Sequence, residues 1–587
     1  MNSDGTLPVD AGGLPANAPL WDAGEKLKGV SANSRRIYAD LNVSSSPTLF
    51  TKDNVSAAAL GLSSNSERDK LVDHIRGIDA YDINNNHNYT EQKPYKLGDI
   101  FHSNAVIVGE PSRYFEDKGY SGSNGFYQTY KNRKKVIIAG ANDGMLHAFD
   151  AATGSEVWAF IPKSLLTDLR DMRYDHTFFV DASPKVADIW FYSSDTDTTK
   201  SVSEWKTVLI SGLRKGGDTH FALDITDTEN PKVLWEFPSS TDAYKVGESW
   251  SEPVIGRVKI EVGDELYERW VAFVGGGYLQ GEHQHSDPDG RSFFVLEVKT
   301  GAILWQYYYK DNISEKEMMR WGLPSSPTLL DMDKDGFIDK VYIGDLGGNM
   351  WVFNVSADDK NKKSNSLWSG RRLYDGTSNH PIYYQPAVTL DKTGTPWVYW
   401  GTGDREDPTN KNTYDRFYGV KDDQDDGTGY PYRESNLTDV STTNTFDPDP
   451  LNKGAANKGW YIRLEKMEKV LARPAVFSDI VYFTTFLPGD QKECRVAGTA
   501  RLYFVEFRSG GGATTFSSAA YLSNTTSARY KEIGDGLASA PVISVDSKGK
   551  ATVMVGTTGS QVFSQQIYSK SGGKQLLYWR ELTGATP

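Results

Sequence analysis

The sequence predicts an all-β protein: a modified seven-bladed β-propeller with long loop inserts, preceded by a short α-helical segment. Three observations predict it. A unit of three to four short apolar strands recurs seven times, each unit opens in a similar way, and the 55 glycines and 12% aromatic residues suit tight turns between strands. A sheet of three to four strands cannot bury both faces alone, and radial stacking of repeated sheets buries them.

Each unit opens with a short strand of the Ser/Ala-x-Pro-Val type, and this repeat decides the fold. The seven openings are Ser103–Val106, Ser183–Val186, Glu252–Ile255, Ser326–Leu329, Gln385–Val388, Arg473–Val476 and Ala540–Ile543. A second apolar strand follows and usually ends in Gly, and a third strand is rich in aromatic residues. Several units close with a Trp-containing strand, namely Val157–Phe160, Leu234–Phe237 and Leu304–Tyr307.

The domain boundaries follow from where the repeat begins. Helical spacing of apolar residues covers Ala23–Leu41 and Ser66–Asp79. Residues 1–99 are therefore predicted to form a helical and loop segment that packs on a propeller formed by residues 100–587. The longest gap between unit openings contains an insert at about 404–466, rich in Asp, Asn, Gly and Thr.

Composition excludes several classes of function. A formal net charge of -13 argues against nucleic acid and anionic lipid surfaces as partners. No run of 18 apolar residues occurs, so no membrane span is predicted. The single Cys494 excludes an internal disulfide, a Cys-rich metal site and a c-type haem.

The segment from Leu330 to Gly344 carries the strongest chemical signal in the chain. Four Asp residues and a turn-making Gly336 fall within nine residues, and so many like charges repel one another unless a cation lies among them. Ca²⁺ takes roughly six to eight oxygen ligands at a flexible geometry. The predicted ligands are the side chains of Asp331, Asp333, Asp335 and Asp339 and the backbone carbonyl of Phe337.

This loop is not predicted to be an EF-hand. Position twelve is Tyr342 where an EF-hand has a bidentate Glu, and the flanks favour short strands over helices. The ion would therefore clip a strand-to-strand turn. The alternative is a solvated acidic hairpin without an ion.

Three further segments carry weaker metal signals. Asp82–Asn88 alternates oxygen ligands without a later carboxylate, and turn chemistry explains it better. Asp422–Asp426 is expected to be a solvated loop, with a weak second cation site left open. His283 and His285 lack an obvious third ligand, so an ordinary loop is favoured there.

Several of these elements together resemble one known family. Lys96–Ser103, Val136–Asp150 and the acidic loop with its continuation Gly344–Trp351 are similar to the C-terminal propeller of the PilY/PilC family, and Leu71–Gly77 resembles the helical segment before it. Family members are type IV pilus biogenesis factors and tip-located adhesins. The resemblance implies calcium-dependent control of pilus extension and retraction, attachment to surfaces, and minor pilins or the pilus tip complex as partners, with a surface or host ligand. It also implies a secreted, cell-surface location at the pilus tip, associated with the outer membrane and reached through the periplasm.

The sequence also departs from that family. It has no Arg-Gly-Asp tripeptide, because Arg76-Gly77 continues with Ile78, so integrin-type adhesion is not supported. A von Willebrand A-like half and an Asp-x-Ser-x-Ser adhesion motif are not found. The chain is therefore expected to be the C-terminal module alone or a short family member.

Two other functions compete with a non-enzymatic pilus factor. Phe149–Trp158 and Glu297–Trp305 resemble the blade repeats of quinoprotein (pyrroloquinoline quinone) dehydrogenases, although a Thr-Gly turn and a packing Trp have a structural reason. A sugar-binding propeller would use the many Trp and Tyr residues, which serve blade packing equally well. No Ser-His-Asp order, P-loop or Gly-x-Ser-x-Gly elbow supports hydrolysis or phosphoryl transfer.

Overall fold

The chain is described by a computed structural model. It covers residues 21–41, 47–112, 115–173, 176–239, 245–279, 289–310, 314, 318–355, 367–376, 380–423, 429–442, 458–489, 498–513, 528–546 and 548–567. Cys494, His283, His285 and part of the Asp422–Asp426 cluster lie outside these residues.

One compact unit lies within residues 19–308 and contains three sheets. The first has the order β2-β1-β6-β5-β4-β3, with β1 Ile37–Ala39, β2 Thr48–Leu49, β3 Val106–Val108, β4 Val136–Gly140, β5 Leu146–Asp150 and β6 Glu156–Ile161. The second has the order β10-β9-β8-β7, with β7 Lys185–Trp190, β8 Trp205–Gly212, β9 His220–Asp224 and β10 Lys232–Phe237. The third has the order β11-β12-β13-β14, with β11 Val254–Val262, β12 Glu265–Gly275, β13 Ser292–Glu297 and β14 Ile303–Tyr308.

The other unit, within residues 309–355 and 368–580, contains four sheets. The fourth sheet of the chain is β15-β16-β17-β18, with β15 Thr328–Leu330, β16 Lys340–Gly344, β17 Met350–Asn354 and β18 Ser369–Tyr374. The fifth is β19-β20-β21-β23-β22, with β19 Ala387–Leu390, β20 Pro396–Gly401, β21 Arg416–Lys421, β22 Thr438–Asp439 and β23 Gly459–Arg463. The last two are β24-β25-β26-β27 and β28-β29-β30, with β24 Ala475–Phe477, β25 Ile480–Leu487, β26 Thr499–Glu506, β27 Tyr530–Asp535, β28 Val542–Val545, β29 Ala551–Gly556 and β30 Val562–Ile567.

Seven sheets fit the predicted seven-bladed β-propeller. Six of the seven opening strands begin at the residue directly after the repeated proline, which are Pro184, Pro253, Pro327, Pro386, Pro474 and Pro541. Proline lacks an N–H for the ladder and is tolerated at a strand's start, so the repeated proline marks where each sheet begins. The predicted insert at 404–466 includes β21, β22 and β23, so its long connections lie on either side of β22.

The N-terminal segment contributes both helices and strands. α1 spans Ala23–Lys28 and α2 spans Asn65–Arg76, and a third helix, α3 at Phe126–Tyr130, follows within the first sheet's connections. Short 3-10 helices occur at Ala32–Ser34, Ala58–Leu60, Lys163–Leu165, Asp168–Arg173, Val202–Glu204 and Glu434–Asn436.

The helix predicted over Ala23–Leu41 is therefore wrong beyond Lys28. Ile37–Ala39 instead forms β1, which pairs in parallel with Ala159–Ile161 of β6. Backbone pairing with a strand more than 100 residues away overrides the local helical spacing there. The second predicted helix is confirmed as α2, and its end at Gly77, with φ of 115°, is a left-handed cap.

Tryptophans join neighbouring sheets within residues 19–308. The indole of Trp158 on β6 donates to the Thr228 carbonyl of the second sheet at 2.9 Å, and that of Trp235 on β10 donates to the Val298 carbonyl of the third at 2.8 Å. The repeated Trp strand thus has a packing role that requires no cofactor.

Candidate cation-binding loop

The acidic loop is a hairpin connection in the fourth sheet. Residues 331–339 join β15 to β16, and Leu330 pairs with Lys340 at the base of the hairpin. The flanking strands confirm the predicted strand-to-strand turn, and no helix flanks the loop. Gly336 has φ of 89°, a left-handed conformation in which a Cβ would be strained.

Three of the predicted ligands come together in this hairpin loop. One carboxylate oxygen from each of Asp331, Asp333 and Asp335 lies within 4.8 Å of the other two. Ca²⁺–oxygen distances are about 2.3–2.6 Å, so two ligands of one ion are at most about 5 Å apart. The donor set is all-oxygen and its spacing suits a single hard cation. Among the described residues, no other three carboxylate, imidazole or thiolate groups have ligand atoms within 4.8 Å of one another.

Backbone N–H groups of the loop orient these carboxylates. Asp331 accepts from the N–H groups of Lys334 at 2.6 Å and Gly336 at 2.9 Å, one to each carboxylate oxygen. Asp333 accepts from the Asp335 N–H at 3.1 Å. Each ionised carboxylate has about four acceptor sites, so a carboxylate can accept from backbone N–H groups and bind a cation at the same time.

The other two predicted ligands occupy different places. The Asp339 carboxylate accepts from the Met332 N–H at 2.6 Å, near the base of the hairpin and outside the group of three. The Phe337 N–H donates to Asp335 at 2.8 Å, which fixes the backbone on the far side of Gly336. Asp339 and the Phe337 carbonyl therefore stay predicted ligands.

The electrostatics of the loop favour a positive partner. Asp331 is buried, whereas Asp333 and Asp335 are exposed. Burial raises the pKa of Asp331, the charges of Asp335 and Asp333 add to this, and the two N–H donors oppose it. A cation among the three oxygens would remove the repulsion that raises this pKa.

The same turn position recurs in two other sheets with a single Asp. Asp391 follows β19 and accepts from the N–H groups of Thr393 at 2.8 Å and Thr395 at 3.0 Å. Asp546 follows β28 and accepts from those of Lys548 at 2.9 Å and Lys550 at 2.8 Å. Each of those connections is five residues long (391–395 and 546–550), against nine for 331–339. Capping of the turn by backbone N–H groups therefore accounts for Asp331, although its donors are at i+3 and i+5 and those of the shorter turns are at i+2 and i+4. Asp333 and Asp335 have no counterpart in the shorter turns.

Asp345 does not belong to the loop. It follows β16 at the opposite end of that strand, roughly 20 Å from Asp339 at about 3.3 Å per residue. Its buried carboxylate accepts from Asn349 and, at 2.8 Å, from the indole of Trp351.

Of the Asp422–Asp426 cluster, which is predicted to be a solvated loop, the structure describes Asp422 and Asp423, and the expectation is wrong for Asp422 while Asp423 is exposed. Asp422 is buried and lies 2.5 Å from Arg371 and 3.3 Å from Lys340, with the hydroxyls of Tyr342 and Tyr430 as donors at 2.9 and 2.7 Å. Burial opposes its ionisation, but the charges of Arg371 and Lys340 hold the pKa of Asp422 below its usual range. Its negative charge is already balanced by protein cations.

At Asp82–Asn88 the structure shows the predicted turn chemistry and one residue that sequence reasoning missed. Asp82 accepts from the N–H groups of Asn86 at 2.8 Å and His87 at 3.0 Å. Glu91 accepts from the side-chain amides of Asn84 at 2.5 Å and Asn86 at 2.9 Å. The sequence pattern Asp82–Asn88 lacks a later carboxylate, and Glu91, five residues after Asn86, places one beside it.

The sugar-binding alternative requires exposed aromatic faces. Trp250 is buried between the guanidinium of Arg214, 3.9 Å from its ring centroid, and the ring of Tyr278, stacked at 4.5 Å. Its faces are already covered by protein. None of the described helices is long and apolar enough to cross a membrane.

Seven sheets and an all-oxygen acidic hairpin define a β-propeller with a candidate hard-cation site. The PilY1 β-propeller domain family matches residues 97–438, more than half of the chain. The chain belongs to this family. The structure is similar to the crystal structure of the Pseudomonas aeruginosa PilY1 C-terminal domain, with a TM-score of 0.56 and 23% identity over 78% of this chain and 99% of that one.

Two curated relatives carry the same family name. One, from Xylella fastidiosa (strain Temecula1), is described as a type IV pilus biogenesis factor PilY1 homolog and is 28% identical over 611 residues. The other, type IV pilus biogenesis factor PilY1 of Pseudomonas aeruginosa (strain UCBPP-PA14), is 32% identical over 358 residues. The matches cover 97% and 58% of this chain, but only 44% and 28% of the relatives' own lengths.

Proposed function

We propose that the chain is a calcium-binding, non-enzymatic module of type IV pilus biogenesis that takes part in pilus extension, retraction and surface attachment. The observation that supports calcium is the approach of three carboxylate oxygens within 4.8 Å on one hairpin. The observation that supports a pilus role is family membership and the description of the curated relatives. Minor pilins or the pilus tip complex are the proposed partners, and the pilus at the cell surface is the proposed location.

The residues would bind the ion and use it to hold the turn. Asp331, Asp333 and Asp335 supply oxygens, with Asp339 and the Phe337 carbonyl as further ligands. Bound Ca²⁺ supplies positive charge that offsets the mutual repulsion of the carboxylates. Binding only to the folded state stabilises it by about 2.7 kcal/mol at a hundredfold excess over the dissociation constant. An ordered hairpin would then present a fixed surface to a partner.

Calorimetric titration of Ca²⁺ into EDTA-treated protein tests the ion. Replacing both Asp333 and Asp335 by Asn keeps oxygen acceptors for the turn N–H groups and removes two negative charges. We expect one saturable site in the native protein and its loss in this double variant. Asp391→Asn removes one carboxylate charge from the turn that connects β19 to β20 in the fifth sheet and should leave binding unchanged. No heat in the native protein, or equal heat in the double variant, would contradict calcium binding.

The pilus role is tested separately in cells. A strain whose only copy carries the Asp333→Asn, Asp335→Asn change is expected to lose the calcium dependence of pilus number and twitching motility. The Asp391→Asn strain should behave as the native one. Normal calcium dependence in the double variant would leave the loop as a structural turn without a regulatory role.

A further inference from the structure

The acidic hairpin is connected to the fifth sheet at the base of its stem. Lys340, the first residue of β16, closes the hairpin by pairing with Leu330. Its Nζ lies 3.3 Å from the Asp422 carboxylate, and the hydroxyl of Tyr342, two residues further along β16, donates to the same carboxylate at 2.9 Å. Alternate residues of a strand point to one face, so β16 presents both groups to Asp422.

Asp422 connects the hairpin stem to residues 430–439, which we call the bridging segment. The Asp422 carboxylate directly follows β21, is buried, and accepts from the Tyr430 hydroxyl at 2.7 Å. Arg371 of β18 is 2.5 Å from the same carboxylate, and its guanidinium lies 3.7 Å from the centroid of the Tyr430 ring. The stem of the hairpin and the start of the bridging segment therefore share one buried carboxylate.

The bridging segment joins the fourth sheet to the fifth. The backbone N–H of Tyr432 donates to the Leu373 carbonyl at 2.9 Å, and its carbonyl accepts from the Asp375 N–H at 2.7 Å, both at the end of β18. The other end of the segment forms β22, which pairs in parallel with Trp460 and Tyr461 of β23. A change in the contacts of Asp422 would therefore act where these two sheets meet.

Apolar packing follows the same path. Met332, the second residue of the acidic loop, packs against a buried cluster that contains Tyr430 and Tyr432, and Leu437 of the bridging segment packs against the same cluster. The Met332 N–H donates to Asp339 at 2.6 Å, so the conformation of the loop sets the position of this side chain. A polar and an apolar contact thus both lead from the loop to the bridging segment.

The position of Lys340 makes this connection sensitive to the state of the loop. Strand ends beside a loop are among the first places where a protein opens, because few contacts hold them. Lys340 is the first strand residue after the loop, so repulsion among the three clustered carboxylates acts directly on its pairing with Leu330. Opening there would withdraw the ammonium from Asp422, and a buried charge that loses a partner is strongly destabilised.

We propose that Ca²⁺ binding by the acidic hairpin orders the bridging segment through Lys340 and Asp422. This relay rests on the proposed calcium binding and adds a regulatory output to it. The ion touches only the loop. It holds the stem closed, the stem holds Lys340 on Asp422, and Asp422 holds Tyr430 at the start of the bridging segment.

Hydrogen exchange of the full chain with and without Ca²⁺, read by mass spectrometry, tests the relay, with calorimetry on the same samples. In the native protein we expect Ca²⁺ to slow exchange in 328–342 and also in 430–439, the latter by about 5–150-fold, the range of typical couplings between two sites. Peptides from β25 and β26 of the sixth sheet should be unaffected. An unchanged rate in 430–439 of protein that binds Ca²⁺ would overturn the relay alone. Absence of binding by calorimetry would overturn the proposed function and the relay with it.

Lys340→Met tests the route, because it removes the ammonium, keeps an unbranched side chain and leaves every proposed ligand in place. We expect Ca²⁺ still to bind and to protect 328–342, and its effect on 430–439 to be lost. Lys531→Met in the sixth sheet, at a lysine whose Nζ contacts Gln565, should retain the native response. A full calcium effect on 430–439 in Lys340→Met would refute the route through this lysine.

Tyr430→Phe is a second test that changes no charge and leaves the hairpin intact. It removes the hydroxyl that donates to Asp422 at the far end of the relay. Because coupling between two sites is reciprocal, loosening the bridging segment should weaken Ca²⁺ binding as well as reduce the protection of 430–439. Native affinity together with native protection in this variant would contradict the relay.

Discussion

Glu156→Gln should detach the N-terminal segment from the first sheet. The Glu156 carboxylate accepts two hydrogen bonds from Arg35, both at 2.8 Å, and lies 3.0 Å from Nδ1 of His147. The side chains of Arg35 and Glu156 are 0% and 2% exposed, and His147 also contacts Asp143 at 3.0 Å. Burial opposes the charge of Glu156, but the hydrogen bonds from Arg35 and His147 lower its pKa to about 2.

The size of the destabilisation expected for Glu156→Gln follows from the burial of both charges. Removing one partner of a buried ion pair costs about 3–5 kcal/mol, because the other charge is left without compensation. Gln preserves the volume of Glu, so no cavity contributes. A loss of 3 kcal/mol corresponds to roughly 150-fold faster exchange of amides that open with the segment, since about 1.4 kcal/mol is tenfold.

Hydrogen exchange read by mass spectrometry measures this loss locally, which suits a chain too large for a two-state melt. The informative peptides contain β1, whose pairing with β6 holds the segment. Glu229→Gln is the control, because it breaks an exposed ion pair between Lys134 and Glu229, whose side chains are 36% and 46% exposed. It should change the free energy of opening that exchange reports by less than about 1 kcal/mol. If the amides of β1 exchanged equally fast in the native protein and in Glu156→Gln, the contacts of Glu156 with Arg35 and His147 would not hold the N-terminal segment on the first sheet.

Two further predictions concern the same region. Gly154→Ala should lower the free energy of local opening by about 1–3 kcal/mol more than Gly394→Ala does around its own turn, because both glycines have positive φ (73° and 84°) but only a Cβ at Gly154 would meet the ring of Trp21, at 2.5 Å. Equal acceleration of hydrogen exchange around the two positions would contradict this. Burial lowers the pKa of His147, but its contacts with Asp143 and Glu156 outweigh this effect and raise the pKa to about 9. The folded-state stability that these contacts contribute is therefore present below about pH 6.5 and is lost as pH rises through 9. The melting temperature should fall from pH 7 to 10, and a His147→Gln variant should show a weaker fall.

Local pattern was enough for the sheets and for the position of the acidic loop. The proline before each opening strand and the alternate Asp residues of 331–335 act through their immediate neighbours, so the sequence carries them directly. The strand β1 could not be predicted, because its partner β6 is more than 100 residues away and the local spacing of its apolar residues favours a helix. The burial of Asp422 was missed for the same reason, since Lys340 and Arg371 reach it from the preceding sheet.

The presence of an Asp directly after the first strand of three hairpins, at Asp331, Asp391 and Asp546, has a consequence for engineering. The chain contains two short hairpins whose first Asp already caps its turn through backbone N–H groups, as Asp331 does with a different pair of N–H groups. Replacing 391–395 by the nine residues of 331–339 would transplant the acidic hairpin onto an existing stem in the fifth sheet. The fold thus offers two further stems on which the nine-residue acidic hairpin could be placed and its proposed cation binding tested away from the fourth sheet.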